Sequence, residues 1–189
     1  MEKESKIITV AGKGGVGKTS LSACMVRLLT EAYPDSKILA IDADPAVGLS
    51  VALGVDVKMT LDDIRMGVVD SVENGEAGIE QIQRRVMEKV THLVLVSDQS
   101  KKGIQVINTI KGVADDLIEY EKIGAVINRM TNPELADLIE IPGVDVIAKI
   151  PADTEFAAND IRGRSVMQLP DDDALLLGAK EALKNMGIL

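Results

Sequence analysis

Residues 6–20 read KIITVAGKGGVGKTS: a short apolar run, a glycine-rich turn, then the start of a helical pattern. The run is rich in β-branched residues, as a strand is. After the turn, Leu21, Cys24, Met25, Leu28 and Leu29 recur at i, i+3, i+4, i+7 and i+8, one apolar stripe on a helix. Gly12 through Thr19 satisfy G-x-x-x-x-G-K-[ST] in the strand–loop–helix setting that the pattern requires. Glycines at 12, 14, 15 and 17 let the backbone curl its N–H groups around phosphate oxygens. The candidate phosphate cradle is therefore Gly12, Gly14, Gly15, Val16, Gly17, Lys18, Thr19 and Ser20. Lys18 is expected on the β- and γ-phosphates and the Thr19 hydroxyl on Mg²⁺, with the helix N-terminus adding roughly half a positive charge. A glycine-rich turn without a ligand is the plainer alternative, and the complete motif in this setting argues against it. Lys13, inside the turn, is a second lysine for which this pattern has no task.

Working outward, four further aliphatic runs follow KIITVAG: KILAIDAD, HLVLVSD, GAVINR and DVIAKIP. Such runs mark strands buried on both faces of a parallel sheet. Helical spacing separates them: Ile79, Ile82, Val86 and Val90; then Ile107, Ile110, Val113, Ala114, Leu117 and Ile118. DDDALLLGAKEALKNMG carries helix start and stop signals, acidic residues first, lysines late and Gly187 at the end. Strands alternating with helices predict one α/β domain over residues 1–189, a doubly wound and mostly parallel sheet flanked by helices. Between Thr60 and Glu76 the alternation is thin, a helix candidate followed by Val68-Val69-Asp70 alone.

The chain has 189 residues, 46% hydrophobic but only 2% aromatic, so its core must be aliphatic. A net charge of −9 argues against a general nucleic-acid or anionic-membrane surface. One cysteine, Cys24, permits no internal disulfide, and no run approaches a membrane span, so a cytoplasmic location is expected. Cys24 lies on the apolar stripe of the first helix and reads as core. His92 reads as a surface or strand-end residue, and Arg84-Arg85 and Lys101-Lys102 as solvated helix ends. The stripe Leu175, Leu176, Ala179, Leu183 and Met186 predicts a last helix packed on the sheet.

AIDADP places Asp42 and Asp44 at the carboxyl end of a predicted strand, where open parallel sheets bind ligands. Two adjacent carboxylates are best tolerated beside a cation. Asp44 is expected to orient the attacking water and Asp42 to sit nearer Mg²⁺; a helix cap for the segment that follows is the alternative.

GKGGVGKT, with lysine in second place, resembles the deviant Walker A signature of ATPases that include the nitrogenase iron protein and the Min and Par positioning ATPases. The resemblance implies that Lys13 reaches the ATP of a partner subunit in a nucleotide-bridged homodimer, so Lys13, Lys18 and Asp44 are the catalytic candidates. KILAIDADP is similar to the family's first switch. VINR and IPADTEF are similar to its base-binding segments, which implies Asn128, Arg129 and Pro151 around adenine. Glu76-Ala77-Gly78-Ile79-Glu80 resembles the second switch of the nickel-inserting accessory ATPases of carbon monoxide dehydrogenase, and SDQSKKGI resembles loosely a later segment of theirs. Asp44, Glu76 and Gly78 are then the switch residues, with ATP and Mg²⁺ as cofactors. The chain departs from that branch at Asn74, where a magnesium-shell aspartate is expected; Asp70 is the nearest carboxylate, joining Thr19 and Asp42 as candidate metal-shell residues. It is also shortened between about residues 66 and 70, where that branch carries its metal-binding cysteine pair. The expectation is a slow, dimer-dependent ATPase serving a client metalloenzyme. The alternatives are a positioning ATPase acting on DNA or membrane, and a nucleotide-binding module with little hydrolysis.

Overall fold

The computed structural model describes residues 5–43, 48–57, 89–154, 156 and 162–189. Asp44, Asp70, Asn74, Glu76, Gly78, the Arg84-Arg85 pair and the stretch from Thr60 to Glu76 lie outside them. The described strands are β1 (Ile8–Gly12), β2 (Lys89–Ser97), β3 (Glu119–Met130) and β4 (Asp145–Pro151). The helices are α1 (Lys18–Ala32), α2 (Gly48–Leu53), α3 (Lys101–Leu117) and α4 (Ala174–Asn185). The strands form one parallel sheet in the order β1-β2-β3-β4, with Gly12 opposite Val96 and Ser97 opposite Ile127. Because every strand runs the same way, all four carboxyl ends meet at one edge.

Period-two alternation decides which face each residue covers. Val94, Val96 and Val126 pack with Leu21, Cys24, Met25 and Leu28 of α1 and with Leu175, Leu176, Ala179 and Leu183 of α4. Leu93, Leu95, Ala125 and Ile127 point the other way, onto Ile107 and Ala114 of α3. With helices on both faces, β2 and β3 are buried throughout their centres, which is why LVLV and AVI are unbroken apolar runs. Each fully buried Leu or Ile contributes about 1.5–3 kcal/mol by leaving water. Asp173 starts α4 by accepting hydrogen bonds from Leu175 N and Leu176 N at 2.9 and 3.1 Å. Arg27 joins α1 to the segment before α4, donating to Leu169 O at 2.7 Å and Val166 O at 3.2 Å.

Four sequence expectations need correction. KILAIDAD is not a strand: residues 37–43 form none, and Leu39 and Ile41 are 70% and 39% exposed. A strand exists only where a neighbour completes its ladder. β1 is the last described strand on its side, and nothing described pairs beyond it. Val90 belongs to β2 rather than to a helix. Val113 and Leu117 face outward at 53% and 76% exposure, so the core stripe of α3 is narrower than its spacing suggests. His92 lies inside β2 and is buried, its Nδ1 2.8 Å from Thr91 Oγ1. Burial, with Lys6 and Lys122 nearby, lowers its pKa.

Candidate nucleotide-phosphate site

The loop from Gly12 to Gly17 leaves β1 at the carboxyl edge and turns directly into α1. Gly12 lies so close to β2 that a Cβ there would stand 2.0 Å from Val96 O. Gly17 caps α1 in the left-handed region, φ 91° and ψ 25°, and no side chain among the described residues caps the helix. Its first-turn N–H groups are therefore left open toward the loop, with no acidic side chain in that turn. Val16 points inward and is buried with the α1 and α4 core, whereas Gly14 and Gly15 are exposed.

The loop is held from behind by β3. Asn128, itself buried, donates from Nδ2 to Val16 O at 2.8 Å, and its Oδ1 accepts from Arg129 N at 2.9 Å. Arg129 follows with φ 58°, the one non-glycine residue at positive φ among the described residues. The β3–β4 register shifts there, and Met130 pairs with Pro151. The side chains of Arg129 and Pro151 are exposed at the edge. Asn128, Arg129 and Pro151 thus share the carboxyl edge with the loop.

Both lysines of the loop have partners in their own chain. Lys18 Nζ donates to Lys13 O at 3.1 Å, and Lys13 Nζ donates to Asp98 Oδ2 at 3.0 Å. The side chains of that pair are 34% and 30% exposed, so the contact sits at the loop's mouth rather than in the core. Asp98 follows the last residue of β2. Its other oxygen, Oδ1, accepts from Ser100 N at 3.0 Å and from the Ser100 hydroxyl. The Ser100 hydroxyl and, after it, Lys13 hold the Asp98 carboxyl below the usual range, against the opposing effect of burial. Nothing in the sequence reading gave Asp98 a role, although a carboxylate at a strand's carboxyl end was the available signal.

Thr19 stands on the first turn of α1 against the head of α2: a Cβ on Gly48 would lie 3.3 Å from Thr19 Cγ2. Asp42 Oδ2 accepts from Leu49 N at 2.8 Å, tying the AIDADP segment to α2. That bond is the capping role given above as an alternative. Cys24 is fully buried, and burial pushes its thiol up to about 12, which fits a packing role. Lys101 and Lys102 are exposed at the start of α3. No helix of the described residues is long and apolar enough to cross a membrane.

Known proteins resemble this chain in sequence or fold. An uncharacterized ATP-binding protein of Methanocaldococcus jannaschii is 26% identical over 245 positions, covering 93% of this chain and 96% of the relative. That span exceeds the 189 residues of this chain, so the relative carries internal positions with no counterpart here. The carbon monoxide dehydrogenase accessory protein CooC of Rhodospirillum rubrum is 26% identical over 238 positions, covering 86% of this chain and 89% of CooC. The septum site-determining protein MinD of Pyrococcus horikoshii, solved with Mg-ADP, shares the fold with a TM-score of 0.66 at 18% identity, over 94% of this chain and 93% of that one. Residues 7–166 match the CobQ/CobB/MinD/ParA nucleotide-binding domain. The chain belongs to that family, an α/β nucleotide-binding domain of the MinD/ParA ATPase type.

Proposed function

We propose that this protein is a Mg²⁺-dependent ATPase switch that dimerises around ATP and assists assembly of a metal centre, on the pattern of nickel insertion into carbon monoxide dehydrogenase. The loop carries the reading: an uncapped α1 opening at Gly17, with Lys18 beside it and Asn128 fixing Val16 from β3. Backbone N–H groups and Lys18 would bind the β- and γ-phosphates. Asn128, Arg129 and Pro151, gathered at the same edge, would line the base. The chemistry of these residues fits Mg²⁺: the part-buried Thr19 on the first turn of α1 would supply a hydroxyl, and Asp42, whose Oδ2 accepts from Leu49 N, would supply a carboxylate. Asp70 would join them through water. The ion would neutralise charge on the phosphates. Asp44 would orient the attacking water, and Lys13, half-buried at the mouth, would reach the partner's phosphates. The worth of such a group in trans is about 10³–10⁵ in rate. Asp44, Glu76 and Gly78 would report the γ-phosphate to the partner by an order–disorder change.

Similarity to CooC over most of both chains supports the metallocentre role, and the −9 net charge disfavours DNA or an anionic membrane as the target. The extra positions of the relative agree with a shortened domain, and we place the shortening between about residues 66 and 70 from the sequence alone. In that case any cargo metal would be held by the client, because Cys24 is buried in the core. Nickel activation of metal-free carbon monoxide dehydrogenase, with and without this protein and Mg-ATP, tests the role. ATP-dependent stimulation is expected. ATP-dependent binding to DNA or lipid vesicles with no stimulation would favour a positioning ATPase instead.

A further inference from the structure

We propose that Asp98 is the resting partner of Lys13, a latch that must open before the lysine can serve a second subunit. The inference rests on the trans role given to Lys13 above and adds what restrains it. Lys13 Nζ is 3.0 Å from Asp98 Oδ2, and a lysine making that contact is turned toward its own chain. The carboxylate is fixed rather than loosely placed. The backbone N–H and hydroxyl of Ser100 hold its other oxygen, while the same hydroxyl accepts from Gly103 N at 3.0 Å.

Residue 103 must be small for this to work. A Cβ on Gly103 would stand 2.3 Å from Ser97 Oγ and 2.5 Å from Asp98 Oδ1. The same two distances show that Ser97 Oγ and Asp98 Oδ1 are neighbours. Ser97 Oγ is fully buried and has no hydrogen-bond partner among the described residues, a costly condition. Its neighbour Oδ1 is the oxygen that Ser100 already holds, whereas Lys13 holds Oδ2, so Ser97 does not compete with the lysine. Lys18 couples the latch to nucleotide: its Nζ donates to Lys13 O at 3.1 Å, and moving Lys18 onto phosphate removes that anchor from the Lys13 peptide. Two alternative sets of partners for the same groups make a two-state element, which nucleotide and partner can bias.

The latch predicts how removing the Asp98 charge changes dimerisation. Dimerisation of the full chain is followed by sedimentation against protein concentration, with Mg²⁺ and a non-hydrolysable ATP analogue. Asp98→Asn keeps the shape but removes the charge, and it should lower the midpoint by roughly two- to five-fold per subunit, as expected for a partly exposed ion pair. If Asp98→Asn fails to fold, Ser100→Ala loosens the same carboxylate and should lower the midpoint by less. An unchanged or raised midpoint for the Asp98 variant overturns the latch. If instead Lys13→Ala dimerises and hydrolyses ATP as the wild type does, the trans role itself has failed.

Discussion

Asn128 Nδ2 lies 2.8 Å from Val16 O, so a residue of β3 grips the phosphate loop across 112 positions of sequence. The grip explains how a loop of small residues keeps one shape. Val16 is pinned in the core on one side and through its carbonyl on the other. Asn128→Ala should leave a buried carbonyl without its donor, a cost of about 1–3 kcal/mol. The measurable outcomes are a lower unfolding midpoint and weaker ATP binding. Binding of wild-type strength would show that the loop holds itself.

Gly17→Ala is expected to be more damaging than its size suggests. The new methyl would meet Asn128 Nδ2 at 2.6 Å, in a backbone conformation that costs an L-residue about 1–2 kcal/mol. Calorimetry should show loss of nucleotide binding in a chain that retains its helix content. A variant with unaltered affinity would contradict the geometry of the helix start.

The sequence carried the architecture better than it carried the site. KIITVAG, HLVLVSD, GAVINR and DVIAKIP each mark a strand, because strands buried on both faces announce themselves by composition. KILAIDAD has the same composition but forms no strand, since pairing depends on a neighbour that composition does not supply. His92 was misplaced for a related reason: its burial depends on what packs around the start of β2. The phosphate loop was legible because its residues are contiguous. Its two braces were not. Lys13 and Asp98 are 85 residues apart, and no local pattern reports that they touch.

Cys24 gives the fold a pH signature. The folded thiol is pushed up to about 12 from 9.0, first by burial and then by Asp173. A raised folded pKa means that the native state keeps a proton the unfolded state has lost. Stability from this group is therefore full below pH 9 and falls between pH 9 and about 12, by about 1.4 kcal/mol per unit. Cys24→Ala should flatten the loss of stability over that window in denaturant titrations. A thiol reagent at neutral pH should modify the native protein only on unfolding; rapid labelling of the folded chain would place Cys24 outside the core.

The central claim is that Lys18 binds nucleotide within its own subunit while Lys13 completes the site of the other. Mixing two inactive variants tests it most directly. Lys13→Ala keeps its own phosphate loop, and Lys18→Ala keeps a Lys13 to lend. Each alone should hydrolyse ATP at least about 10³-fold more slowly than the wild type. An equimolar mixture should recover a substantial fraction of the wild-type rate through mixed dimers. No recovery on mixing, or a Lys13→Ala variant active by itself at any dilution, would contradict the account.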